Sequence, residues 1–292
     1  MQTEATTLSP SALTLTASDG YPLAATHFRT TGTAKGNLIV AAATGAPQGF
    51  YRRFAEHACK RGYNVLTIDY RGVGQSAPAS LKGFEMQYLD WARLDLPAAI
   101  DHFADSDLKL YWIGHSFGGH AIGLLPNHQR LSAACCFATG AGWAGWMPKA
   151  DGLKVRFLWS LVLPLLVRSK GYLAWSKLGM GADLPLGVYR DWKRWCARPN
   201  YFFDYPEMQE QIAGFAEVRM PLRFVNALDD TWALPASREA FIKGYRNARI
   251  DRVDLPAGKG QASIGHMGYF RAGREGLWDE ALDWFEQQAP SG

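Results

Sequence analysis

The sequence predicts an α/β fold: a mostly parallel central sheet with helices on both faces and one helical insertion. Three observations predict it. Continuous apolar runs at 37–43 (NLIVAAA), 63–70 (YNVLTIDY), 109–114 (KLYWIG) and 132–139 (SAACCFAT) read as strands buried on both faces, as in a parallel sheet covered by helices. Amphipathic segments at 50–61, 88–103 and 118–125 lie between them, and alternation of strand and helix marks an α/β sheet. The rhythm then stops. Residues 141–215 hold no convincing strand but contain Trp143, Trp146, Trp159, Trp175, Trp192 and Trp195, which reads as a helical insertion.

The opening residues, 11–30, alternate apolar and polar side chains on either side of the turn dipeptide Asp19-Gly20 and predict an antiparallel hairpin. Beyond the insertion, strand and helix signals resume with 221–228 (PLRFVNAL), an amphipathic 237–245, 249–255 (RIDRVDL) and a last helix over about 275–288. The expected organisation is one core, 1–140 and 216–292, interrupted by a helical cap at 141–215. A chain of 292 residues can bury a core of that size.

Charge and composition exclude several classes. A net charge of +4, from 31 basic and 27 acidic residues spread along the chain, lacks the concentrated basic run of a nucleic-acid footprint. Cys59, Cys135, Cys136 and Cys196 show no metal-ligand spacing and read as reduced structural thiols of a cytoplasmic protein. No metal set emerges from the histidines and carboxylates either. The opening MQTEATTLSP has no basic-then-apolar signal pattern. The longest apolar run, 157–167, is interrupted by Pro164 and falls short of the roughly 20 residues that span a bilayer.

The chemistry concentrates at Gly114-His115-Ser116-Phe117-Gly118-Gly119, which directly follows a short apolar strand. A serine at the tip of a strand-to-helix turn is strained, so positions two residues to either side must be nearly free of side chain; Gly114 and Gly118 meet that demand. The turn also aims the Phe117 N–H at the space beside the serine oxygen, where an oxyanion would form. A serine hydroxyl is a weak nucleophile at neutral pH and needs a base and an acid that orients the base. Of seven histidines, His266 lies late in the chain, in the Gly-rich loop SIGHMGYF after the last expected strand. It is the candidate base. The loop after 221–228 begins Asp229-Asp230; Asp230 is favoured as the acid because Thr231-Trp232-Ala233 resembles the short turn that follows such residues, with Asp229 the alternative.

These features resemble the α/β-hydrolase fold superfamily, in the order Ser116, Asp230, His266, and the resemblance covers nearly the whole chain. It includes AATGAPQGFYRRFAEHACKRGYNVLTIDYRGVGQS, similar to the oxyanion loop, first core helix and Asp-x-Arg-Gly-x-Gly-x-Ser turn of that superfamily, the last at Asp69 to Ser76. Where many relatives have His-Gly, this chain has Thr44-Gly45, and the Ala46 N–H is assigned as second oxyanion donor. The sequence also resembles a poorly characterised bacterial group of hydrolases with GHSFGG and a Trp-rich insertion, which implies a fold and a triad but no particular substrate.

The expected function is therefore hydrolysis of an ester or thioester of a hydrophobic small molecule through an acyl-enzyme, with no cofactor. Trp143, Trp146 and Trp232 are the expected substrate-binding residues. Acyl transfer, carbon–carbon bond cleavage and a non-catalytic ligand-binding protein are the alternatives on the same fold. Asp69 and Arg71 read as a structural brace. His115 is expected to shape the pocket and His120 to pack, while His27, His57, His102 and His128 are expected on solvated surfaces. The apolar run at 157–167, flanked by Lys154, Arg156, Arg168 and Lys170, is expected to pack against the core, a reading preferred over contact with a membrane surface.

Overall fold

A computed structural model describes residues 10–256 and 263–288. Among them an eight-stranded sheet comprises β1 (Ser11–Thr16), β2 (Pro22–Phe28), β3 (Gly36–Ala41), β4 (Tyr63–Ile68), β5 (Leu110–His115), β6 (Ala133–Phe137), β7 (Leu222–Ala227) and β8 (Ile250–Leu255). Its spatial order is β1-β2-β4-β3-β5-β6-β7-β8. β1 and β2 run antiparallel, β2 joins β4 antiparallel, and every other pair is parallel. β3, β5 and β6 are buried along their whole length, which is why the sequence shows unbroken apolar runs there.

The helices follow from the topology. α1 (Arg52–Lys60) connects β3 to β4 in one direction, and α2 (Leu96–Asp101) connects β4 to β5 in the other. Since parallel crossovers are right-handed, the two connections put α1 and α2 on opposite faces. α1 buries Phe54, Ala55, Ala58 and Cys59, one stripe at helical spacing. A π turn at Trp91–Asp95 precedes α2 and accommodates Pro97, which lacks the N–H of a regular turn. The short α3 (Phe117–His120) follows β5; the helix expected at 118–125 breaks after it into a 3₁₀ turn. After β7, α7 (Pro235–Ile242) and α8 (Glu275–Gln287) complete the core.

Between β6 and β7 the chain makes α4 (Lys149–Phe157), a π turn at Leu158–Val162, α5 (Leu163–Lys170) and α6 (Leu186–Trp195), joined by irregular segments and one isolated antiparallel bridge, Leu173 to Leu184. No helix among the described residues is long and apolar enough to cross a membrane.

Two histidines depart from expectation. His27 and His128 are buried rather than solvated. His102 and Phe103, which follow α2, cover the His27 side chain: its Nδ1 lies 3.2 Å from His102 Nε2 and its ring meets the Phe103 ring edge to face. Burial lowers its pKa to about 4. His128 pairs its Nδ1 with the Leu125 carbonyl at 3.0 Å.

Asp69 and Arg71 brace the loop after β4. Asp69 accepts from the Gln48 and Gln75 N–H groups, and Arg71 reaches both Asp95 and Asp19.

Candidate active site

The sheet order changes direction at β3, whose neighbours β4 and β5 both follow it in sequence. Loops leaving the carboxyl ends of β3 and β5 therefore diverge around a crevice, the usual ligand position in an open α/β sheet. Ser116 stands there, one residue beyond β5, with φ 51° and ψ −106°. That conformation is costly for a residue with a side chain and persists only where the surroundings over-determine it.

The determinants are close backbone contacts. A Cβ on Gly118 would lie 2.1 Å from the Ala41 carbonyl oxygen, and one on Gly114 would lie 2.8 Å from the Gly118 backbone. The two missing side chains let the start of α3 press against β3 while Ser116 projects outward. Overpacking at backbone cannot relax by a rotamer change, so Gly118→Ala is expected to cost at least about 3 kcal/mol in urea unfolding, or to prevent folding.

His266 Nε2 lies 2.9 Å from Ser116 Oγ, and His266 Nδ1 lies 3.0 Å from each carboxylate oxygen of Asp230. Asp230 is fully buried and accepts further from the Trp232 N–H and the Tyr269 hydroxyl. Asp229 does a different job: it accepts from the Ser263 hydroxyl and from the Ile264 and Gly265 N–H groups, holding the loop that carries His266. Burial works to raise the Asp229 pKa, but these hydrogen bonds prevail and leave it below its ordinary value.

A second support comes from His115. Its Nε2 faces the His266 carbonyl at 2.8 Å and must carry the proton, because a carbonyl only accepts; Nδ1 then accepts from the Tyr51 hydroxyl at 2.9 Å. Tyr51 in turn accepts the Ala43 N–H at 2.7 Å. The loops after β3 and β8 are thus tied through one imidazole, which burial keeps neutral with a pKa of about 3. His120 is also buried and neutral, its pKa about 4, and its Nε2 donates to the Gly140 carbonyl.

A cavity of about 130 Å³ opens over Ser116. The loops that leave β3, β6, β7 and β8 contribute Ala43, Thr44, Ala138, Gly140, Trp232, His266 and Met267; residues further along between β6 and β7 contribute Trp175, Met180, Trp192, Cys196 and Tyr201. The three non-glycine residues with positive φ among those described, Ser116, Ala138 and Tyr201, all line it. Backbone strain is gathered at this one place.

Three expected positions change. The Ala46 N–H closes a turn on the Ala43 carbonyl at 3.1 Å and is already spent, so it offers nothing to an oxyanion. Trp143 and Trp146 lie off the cavity wall: they pack edge to face on each other, and the Trp146 indole donates to the Pro199 carbonyl. Trp232 lines the cavity, with its ring 6.4 Å from that of His266. Trp175, Trp192, Met180 and Tyr201 were not singled out from sequence. Their segment has no period that reports which side chain turns inward, although the tryptophan density marks the region.

No curated protein matches the chain in sequence. Solved structures resemble it in fold. A soluble variant of monoglyceride lipase from Saccharomyces cerevisiae, in complex with a substrate analogue, is 16% identical over 100% of this chain and 99% of its own, with a TM-score of 0.69. An esterase of Pyrococcus furiosus is 16% identical, covering 97% of this chain and 91% of its own at a TM-score of 0.63. A serine hydrolase without a lid, from Xanthomonas campestris, is 13% identical over 99% of this chain and 100% of its own at 0.56. The pattern of the alpha/beta hydrolase family runs through residues 38–275, from β3 past the His266 loop, and the chain belongs to that family.

Proposed function

We propose that this hydrolase is a serine esterase acting on compact, uncharged carboxylic esters or thioesters. The observation that carries the reading is the 2.9 Å contact between His266 Nε2 and Ser116 Oγ, with a buried carboxylate at the other ring nitrogen. Ser116 attacks the carbonyl carbon as His266 takes its proton. Asp230 holds the ring with Nδ1–H inward and stabilises the imidazolium that forms. His266 then protonates the leaving alcohol, and water, deprotonated by the same nitrogen, releases the acid.

The oxyanion is assigned to the N–H groups of Phe117 and Thr44. Phe117 opens α3 beside the serine, and its N–H belongs to the first turn, where no intrahelical acceptor exists. Thr44 lines the cavity, and its backbone N–H has no acceptor among the described residues. Its hydroxyl is tied to Tyr88, which stacks on Phe117 and so couples the two donor segments.

Residues 141–215 serve as the cap of this reading, since they supply the aromatic wall. An apolar cavity with few polar groups favours an uncharged ligand. Its size favours a small acyl group: an engineered cavity of about 150 Å³ holds a single benzene ring. Expected kcat/KM is therefore highest for p-nitrophenyl acetate, butanoate or benzoate and lower by about tenfold or more for p-nitrophenyl palmitate. Labelling of the protein by a fluorophosphonate tests the chemistry directly. Absence of labelling, together with no turnover across the ester series, would refute the proposal.

A further inference from the structure

α4, the π turn and α5 form one continuous helical run whose two sides differ sharply. One side packs inward: Gly152, Trp159 and Leu163 are buried, and Trp159 meets Trp192 of the cavity wall edge to face, ring centres 5.1 Å apart. The other side is an uncovered ladder. Leu153, Phe157, Leu161 and Leu165 are 70%, 58%, 48% and 60% exposed, each four residues from the next. In a regular α-helix an i, i+4 ladder drifts by about 40° per step. The wider π turn at 158–162 opposes that drift at the middle step, and the four side chains stay on one face. Packing, the expectation from sequence, accounts for only the inward half of this run.

We propose that this face docks the protein on an anionic phospholipid surface. Charge selects the occupant. The run from 149 to 170 carries Lys149, Lys154, Arg156, Arg168 and Lys170 against one acid, Asp151, and all five cations are exposed. Lys149, Arg156 and Arg168 each stand one helical turn from a member of the ladder, so a basic rim borders an apolar stripe. Such a helix lies in the plane of a lipid interface, its apolar face among acyl chains and its cations at the headgroups. Met180, 42% exposed, lines the cavity, and Leu178, two residues before it, is exposed as well. Binding itself is independent of the esterase reading, since it uses no residue of the proposed triad.

Flotation of the full chain with vesicles tests the inference, comparing phosphatidylcholine alone with phosphatidylcholine plus phosphatidylglycerol. Binding to the mixed vesicles, weakened by added salt, is the expected result. The triple change Arg156→Glu, Arg168→Glu, Lys170→Glu should weaken that binding by a factor on the order of a hundred. The quadruple change Leu153→Gln, Phe157→Gln, Leu161→Gln, Leu165→Gln should abolish it while leaving hydrolysis of soluble p-nitrophenyl acetate, or fluorophosphonate labelling, unchanged. Three results overturn the inference: no binding to either vesicle, binding unaffected by both sets of changes, or a sedimenting dimer that the quadruple variant breaks, which would make the face an interface between two copies of the chain.

Discussion

Ser116→Ala is expected to lower ester turnover by a factor on the order of 10⁵ and to remove fluorophosphonate labelling, with urea stability nearly unchanged. The size follows from the way the three groups act as a unit. Once the oxygen that forms the acyl bond is gone, the His266 and Asp230 contacts have nothing to activate, and only cavity binding and the oxyanion donors remain. Folding should survive because the Ser116 side chain contributes one hydrogen bond to a partly exposed imidazole. Alanine also relieves none of the strain at φ 51°, so the turn keeps its shape through Gly114 and Gly118. Measured side by side, loss of labelling with an unchanged unfolding midpoint assigns the nucleophile. Full labelling of Ser116→Ala would move the chemistry to another residue.

That assignment could be read in the sequence because each of its parts is locally encoded. The strand entering Ser116 is an apolar run, the flanking glycines report close backbone approach, and Asp230 and His266, the proposed acid and base, come after β7 and β8. The parallel sheet was legible for the same reason: β3, β5 and β6 are covered on both sides and carry no polar alternation. What escaped was set by distant contacts. Ala46 faces away because Gly45, at φ 75°, turns the chain so that the Ala46 N–H meets Ala43. Trp143 and Trp146 share their segment with Trp175 and Trp192, and only the route of an irregular chain decides which pair reaches the cavity. The burial of His27 needed the knowledge that His102 and Phe103, distant in sequence, lie over that face of β2.

Asp230 and Asp229 are adjacent and chemically alike, yet their substitution by asparagine should separate them by about three orders of magnitude in kcat. For Asp230→Asn the expected loss is about 10⁴-fold, because an amide can offer an N–H to His266 Nδ1 and so favour the tautomer with its proton on the serine side, where a base must be empty. The buried site would also lose the charge that balances the imidazolium during reaction. Asp229→Asn should cost on the order of tenfold, since one oxygen still accepts from the Ile264–Gly265 backbone and the ring keeps its own partner. Acid should reveal the second role in the parent protein. The folded pKa of Asp229 is lowered below 3.8, so its hold on the loop is fully present above that value and is lost as pH falls through the folded pKa. Protection of the Ile264 and Gly265 amides, measured against free-chain exchange at the same pH, would therefore fall in acid in the parent and be reduced in part at neutral pH in Asp229→Asn. A collapse of kcat in Asp229→Asn with Asp230→Asn left active would reverse the two roles, and with them the orientation of the base.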